Sequence, residues 1–431
     1  MLPPNPMLAV LLALPVIILA CHAGGWAARR LSQPPVIGEI VAGIMLGPSL
    51  LGWLAPNVTA HLLPAAVLPT VSALGTLALL AFLFLVGVEL DGRVLRKAKV
   101  AVAGVSLGSV LLPLAMGAGL AAAMYPHLAP DGVDRLPFVL FIAVALSITA
   151  FPVLARILTD RGLDATHLGT FVMACAAAND AIAWCLLTVV IALCVAATPL
   201  AALATAGLTA ALGIALVLAR PALRRLLNLA ARGGDELVLV VLCAGLLLTA
   251  YATDRIGVHP ALGAFLFGVV TPREMASVER SASRIRAVFV PVLLPLYFAD
   301  IGLHTDIADL PSGQWAWTFA IVAVAVAGKW GGAAGAARLT GADWRTAAAI
   351  GTLLNCRGVT ELVVLGIGRQ IGVISPQLFT MLVIMAVVTT AATGPLLNHL
   401  SRADPTTSPD AARPGSTQLA SPNPSNQEAA R

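Results

Sequence analysis

The sequence predicts an all-α polytopic membrane protein, and three observations carry that expectation. The first is composition: 59% of the 431 residues are hydrophobic, 11% are charged, and the mean hydropathy is +0.92. Folded in water, so apolar a chain would lack the polar surface to cover its core, whereas a hydrocarbon layer of ~30 Å calls for repeated apolar runs of about 20 residues. The second is that such runs recur along the chain as far as residue 400. The third is positive charge, which gathers in alternate loops as the positive-inside rule requires.

In chain order the apolar runs place thirteen spans at roughly 7–28, 35–54, 69–90, 98–125, 136–159, 166–196, 199–219, 236–255, 258–272, 286–304, 315–338, 344–368 and 377–400. The first has no basic residue before it and Arg29 and Arg30 after it, which reads as a retained span and not a cleaved signal peptide. Nineteen of the 26 Lys and Arg residues fall in the loops of one side, and three, Arg135, Arg255 and Arg369, in those of the other. One extra or missing span would scramble that partition. It predicts a multi-pass protein of the plasma membrane, N-terminus outside and C-terminus cytoplasmic. It also accounts for the net charge of +5 without a nucleic-acid partner.

Residues 1–400 therefore form one membrane domain, and 401–431, rich in Pro, Ser, Thr and Asn, form a disordered cytoplasmic tail. The six cysteines lie inside apolar runs without paired spacing and read as packing residues, not as a disulfide framework or zinc site. Glycine pairs within spans read as close helix contacts. No segment reads as a nucleotide-binding domain, and no cofactor is expected.

Spans 1–6 and 8–13 are two groups of six, and the odd span 7 inverts the second group relative to the first, which predicts an inverted repeat. In such folds the substrate site lies near the midplane, where discontinuous helices from the two halves cross. Spans 5 and 12 are interrupted at matching positions. Span 5 carries SITAFPVLARIL, in which Pro152 removes a backbone donor and disfavours helix at Phe151, while Ser147 and Thr149 are placed to satisfy freed backbone groups or line a cavity. For that helix alone a simple proline kink is the alternative. Span 12 carries LLNCRGVTELVVL, in which Gly358 follows Arg357, and Arg357 and Glu361 are four apart on one helix face, able to pair with each other or with charges of the crossing partner.

Span 6 holds Asn179 and Asp180 side by side near its middle. An ionised Asp at bilayer depth costs at least ~2.5 kcal/mol, so it faces a polar cavity on an ion or proton path, or pairs with Lys or Arg as structural glue. The other ionisable residues read as boundary features. Glu39 caps or neutralises a local helix end, Glu89 and Asp91 form solvated ion pairs with a basic loop, and Asp300 lines the outer mouth. His259 is a polar boundary residue or a pH sensor, and Trp53, Trp315 and Trp317 fit an outer aromatic belt.

Seven strings in order, QPPVIGEIVAGIMLGPSLLG, FLFLVGVELD, SITAFPVLARIL, ANDAIAW, HPALGAFLFGVV, PLYFADIGLHTD and NCRGVTELVVLGIG, resemble the monovalent cation:proton antiporter-2 family, most nearly its plant-type cation/proton exchangers. The resemblance covers roughly residues 7–400. It implies a homodimeric thirteen-helix sodium/proton antiporter fold, in which a mobile core around spans 4–6 and 11–13 carries the crossing discontinuous helices. It implies that Asp180 takes the transported Na+ or K+ and the proton in turn, that Asn179 is its polar neighbour, and that Thr149 and Phe151 sit at the unwound part of span 5. Lys329, in AVAGKWGG, then faces the site, with Arg357 and Glu361 as further charge-compensating residues.

Relatives with two aspartates at this place resemble electrogenic exchangers. Here Asn179 leaves one carboxylate, so electroneutral one-for-one exchange is expected. Lys329 then lacks an acidic partner at 179 and stays partly neutral, holds a lipid or a backbone carbonyl, or senses Asp180 across water. Potassium-efflux relatives regulated by glutathione carry a cytosolic nucleotide-binding domain that the residues after Leu400 do not resemble, so that regulation is not expected. A symporter or exporter of an organic solute on the same fold is the rival reading. An enzyme is not expected: no GxGD string surrounds Asp180, as an intramembrane aspartyl protease would require. Nor is there a pore-loop filter of the kind a channel would show.

Overall fold

The computed structural model describes residues 6–89, 100–163, 166–195 and 199–402. Asp91 and all but the first two residues of the predicted tail therefore lie outside the described residues. Without water to bond the backbone, an apolar span must satisfy its own N–H and C=O groups, and the described residues accordingly form helices and turns with no strand among them. In order these are α1 (Pro6–Arg30), α2 (Pro35–Leu46), α3 (Leu51–Leu54), α4 (Pro56–Leu62), α5 (Leu68–Glu89) and α6 (Val100–Leu128). Next come α7 (Arg135–Ser147), α8 (Phe151–Asp160), α9 (His167–Val195), α10 (Pro199–Arg232), α11 (Asp235–Ile256) and α12 (Pro260–Val270). The chain finishes with α13 (Ala276–Val288), α14 (Leu294–Leu303), α15 (Trp315–Leu339), α16 (Trp344–Leu354), α17 (Val359–Gln370) and α18 (Pro376–Arg402).

Among the described residues ten segments are long and apolar enough to cross a membrane, or eleven with α16 and α17 taken as one bent span. The thirteen-span reading also counts the interrupted pair α7 and α8, and α12, whose 11 residues are too short to cross alone. Three boundaries differ from expectation. The seventh span is part of α10, whose 34 residues reach about 51 Å and so run past the hydrocarbon. The tenth begins at Ala276 and passes through a π-helical turn at Phe289–Leu293, where Pro291 removes a donor. The second stops at Gly47 before the short α3.

Glycine sets the closest helix contacts. The pairs Gly24/Gly38 (α1, α2), Gly87/Gly268 (α5, α12) and Gly108/Gly332 (α6, α15) bring backbones together where any Cβ would strike the facing chain. One apolar cluster joins α1, α2 and α14 through Ile17, Cys21, Ala42 and Leu296. Another joins α6, α8, α9, α15 and α16 through Leu154, Val172, Cys175 and Leu353. The largest links α5, α7, α12, α14, α17 and α18. Cys21, Cys175 and Cys356 pack inside as expected, but Cys185 is exposed on the helix surface. Trp53 is exposed, whereas Trp315 and Trp317 lean against the core.

Candidate functional site

Both interrupted spans leave the helix outright. After α7 the backbone is extended at Ile148 (φ −72°, ψ 144°) and Ala150 (φ −98°, ψ 92°), and α8 restarts at Phe151 with Pro152 in its first turn. Proline fits there because a first-turn N–H has no intrahelical acceptor. The second break separates α16 from α17 at Asn355–Gly358 and turns the axis by 43°. The two breaks touch: the Ala150 N–H donates to the Cys356 carbonyl at 3.3 Å. A Cβ at Gly358 would press into the Val153 side chain, so a glycine is what permits the approach.

A break leaves the carbonyls of one half-helix and the N–H groups of the next without partners, with negative and positive dipole ends respectively. At the α7 carbonyl end, cations from distant elements fill the role of a cap. Arg357 donates to the carbonyls of Leu146 at 2.7 Å and Ala145 at 3.4 Å, and Lys329 of α15 donates to that of Ser147. Arg357 also pairs with Glu361 at 2.6 Å. Its backbone is held by Thr390 of α18, whose hydroxyl accepts from the N–H at 3.0 Å and donates to the carbonyl at 2.7 Å. Arg357 lies in the break and not, as the spacing suggested, on one helix with Glu361. The pair forms because Glu361 is in the first turn of α17 and helix side chains slant toward the N-terminus. Lys329, Arg357 and Glu361 are all 0% exposed, and charges that deep persist only when paired or hydrogen-bonded.

Asn179 and Asp180, both 1% exposed, face the first break. The Asn179 amide donates to Ser109 Oγ of α6 at 2.8 Å and to Thr149 Oγ1 at 3.3 Å. Asn179 Oδ1 and both carboxylate oxygens of Asp180 are buried and accept no hydrogen bond. The Phe151 N–H at the start of α8 and the Lys329 ammonium are within electrostatic reach of Asp180 without meeting hydrogen-bond geometry. Three bare acceptor oxygens beside the positive end of a half-helix form a hard donor set that suits a proton or an alkali cation.

The predicted residues Thr149, Phe151, Asn179, Asp180, Lys329, Arg357 and Glu361 thus converge on the touching breaks. Ser109 was missed. Its signal was the pair Ser106 and Ser109, one turn apart in an apolar run and both buried. Trp184, one turn beyond Asp180, was missed too; it stacks on Phe265 at 5.7 Å, and its buried indole N–H is unpaired. The remaining acids lie elsewhere. Glu89 forms an exposed ion pair, but with Arg286 of α13; the basic loop after α5 lies outside the described residues. Asp300 accepts from Ser72 at 2.5 Å beside His304, and His259 caps α12 by accepting from the Ala261 N–H at 3.2 Å. Glu39 caps no described helix end, since the N-cap of α2 is Pro34, but its carboxylate is within charge range of Arg29 in the last turn of α1.

Residues 16–402 match the family model described as sodium/hydrogen exchanger, transmembrane, and the chain belongs to that family of membrane transporters. It is 39% identical over 403 residues to the Na(+)/H(+) antiporter NhaS4 of Synechocystis sp., covering 91% of this chain and 97% of the relative. It is 36% identical to Cation/H(+) antiporter 18 of Arabidopsis thaliana, over 90% of this chain and 48% of that one. It is 33% identical to K(+)/H(+) antiporter 1 of Saccharomyces cerevisiae, over 91% of this chain and 46% of that one. The chain spans about half the length of these plant and yeast relatives. The fold is that of the sodium proton antiporter MjNhaP1 from Methanocaldococcus jannaschii, with a TM-score of 0.68 at 14% identity over 93% of this chain and 98% of that one.

Proposed function

We propose that this chain is a secondary antiporter that exchanges one monovalent cation, Na+ or K+, for one proton by alternating access, with Asp180 as the shared carrier. The observation that supports this most strongly is the charge inventory around the two breaks. Asp180 and Glu361 face Lys329 and Arg357, so the buried charges balance. Glu361 and Arg357 use each other, and Lys329 is committed to the Ser147 carbonyl. Asp180 alone keeps both oxygens without a donor. A proton or a monovalent cation neutralises that carboxylate equally, so the two compete for one place. Asn179, with Oδ1 open, adds a ligand oxygen without adding charge. A bound proton and a bound cation leave the core with the same charge, so it can cross in either loaded state, whereas the empty carboxylate, with both oxygens unsatisfied, is held back. One-for-one, electroneutral coupling follows.

The same reading takes the interrupted pair α7/α8 and the short α12 as spans, giving a thirteen-span inverted repeat. In it α6–α9 and α15–α18 form the moving core, and the second apolar cluster supports that grouping, since it draws only on those helices. The N-terminus is outside, residues 401–431 are a cytoplasmic tail, the protein lies in the cell membrane among lipids, and it works as a homodimer. The test is exchange in everted vesicles followed by a pH-sensitive dye, titrating sodium, potassium, rubidium and lithium at several pH values. Wild type exchanges an alkali cation for protons. A chain that moves an organic solute and ignores all four ions refutes the reading.

A further inference from the structure

We infer that Asp300 and Arg369 are the two halves of a polar latch that holds α17 against α12 and α14. Closed, it blocks the approach to Asp180 from the side opposite the basic loops, so both residues act as positioning residues. The inference rests on the moving core proposed above, in which α17 and α18 move while α5, α12 and α14 stay. Asp300 is fixed on the stationary side: its Oδ1 accepts from Ser72 of α5 at 2.5 Å and lies 3.4 Å from His304 Nδ1. Arg369, in the last turn of α17, is about 15 Å along that half-helix from Val359 at the second break. Its guanidinium lies over the Phe379 ring of α18 at 5.4 Å and within charge range of Asp300. The opposed charges share a pocket of about 20 Å³. That is room for about one water molecule, too little to pass an alkali ion with its hydration shell.

Two further contacts join the same two bodies. The Tyr297 hydroxyl of α14 donates to the Leu362 carbonyl in the first turn of α17 at 3.3 Å, and it fits there because Gly366, one turn on, has no Cβ to meet it. Toward the outer end, the Gln370 side chain is a partner of the His259 ring, which caps α12. How each contact is made shows which can part. Within the stationary side, backbones touch: a Cβ at Gly75 of α5 would lie 3.0 Å from Tyr297 Cα, and Gly87 of α5 meets Gly268 of α12. From the stationary side to α17, these links run through the ends of long side chains around the pocket. Close backbone packing is fixed by the shapes of both helices, whereas polar side chains trade such partners for water at little net cost. Charges in a narrow, mostly buried gap are screened less than surface charges, so Asp300 and Arg369 carry the largest share of the latch.

Access to the pocket tests the latch without relying on transport. Thr76→Cys places a reporter on the α5 wall of the pocket. It is labelled in intact cells with a membrane-impermeant maleimide, and the same full-length chain with Thr76 retained gives the background from native cysteines. Labelling is slow with the latch intact. Asp300→Asn and Arg369→Gln each speed it about fivefold or more, and the two together do no more than either alone. Arg369→Lys, which keeps the charge, stays close to the parent rate. In vesicles that exchange ions, each neutralising variant also lowers the KM for the cation on the outer face and raises it on the inner face, a split that loss of folding does not produce. Fast labelling of the parent reporter, an unchanged rate in both neutralising variants, additive effects, or an Arg369→Lys rate equal to that of Arg369→Gln each refute the latch. Labelling that responds as described in a chain that exchanges no alkali cation supports the latch and refutes the proposed function instead.

Discussion

The two helix breaks have the same architecture and opposite chemistry. The break between α16 and α17 brings its own charges: Arg357 and Glu361 pair across it, and Thr390 holds its backbone. The break between α7 and α8 has no ionisable residue of its own. Its carbonyl end borrows Lys329 and Arg357, and its N–H end faces Asp180. One break is thus a closed unit that holds the crossing together. The other has one end sealed by cations and the other left toward a carboxylate with spare oxygens, which is where the exchange proposed above would take place. The lesson is that a discontinuous helix does not by itself leave acceptors open; an end without a fixed partner does.

The largest expected effect comes from the open end. Asp180→Asn abolishes exchange in vesicles while protein abundance and thermal stability stay near wild type, because the amide keeps the shape but cannot alternate between proton and cation. Near-normal exchange in that variant removes the distinction between the breaks. A change of kind follows from Asn179→Asp: a second carboxylate beside Ser109 and Thr149 gives Lys329 an acidic partner, and exchange becomes voltage-dependent. In wild-type proteoliposomes clamped at several potentials the reversal point stays fixed. A reversal point that shifts with voltage would mean that Lys329 also releases a proton and that coupling is not one-for-one.

At the closed break the expected losses are of stability. Arg357→Met leaves Glu361 and the Leu146 carbonyl without their partner in the interior and costs about 3–5 kcal/mol, read from denaturation in detergent. Reversing the pair, Arg357→Glu with Glu361→Arg, recovers little, because a carboxylate at 357 faces the carbonyls of Ala145 and Leu146. Full recovery would mean that the ion pair matters and the capping does not. Lys329→Met removes one cap from the Ser147 carbonyl and costs about 1–3 kcal/mol. Gly358→Ala, whose methyl meets Val153, has an effect of similar size, about 1–3 kcal/mol. The same loss in Gly335→Ala, where an added Cβ meets nothing within 4 Å, would show that the contact between the breaks is not its cause.

What was legible in the sequence depended on neighbours along the chain. Hydropathy and loop charge fix the membrane class because each span must satisfy the bilayer by itself. Pro152 and the Arg357-Gly358 pair mark both breaks because they act on the adjacent peptide units, and Asp180 stands out because a carboxylate in an apolar run has no local explanation. Helix ends were less legible. Arg220 and Pro221 read as the end of the seventh span, yet α10 runs on through Pro221 to Arg232, and the span that starts at Ala276 was hidden by the polar face of α13.

Taken alone, then, the sequence determined a membrane-spanning helical transporter, the place of its breaks and the identity of its central carboxylate, all of which follow from short-range sterics and the cost of burying polar groups in hydrocarbon. Only the tertiary structure decided how those groups are used. Lys329 and Arg357 cap α7 from 182 and 211 residues away, and Asn179 finds Ser109 from 70 residues away. No local rule specifies such partners, because hydrogen bonds at a helix end go to whichever donors packing brings within reach. That assignment is also what leaves Asp180 with its oxygens free, since each cation close to it is already engaged with a carbonyl or with Glu361.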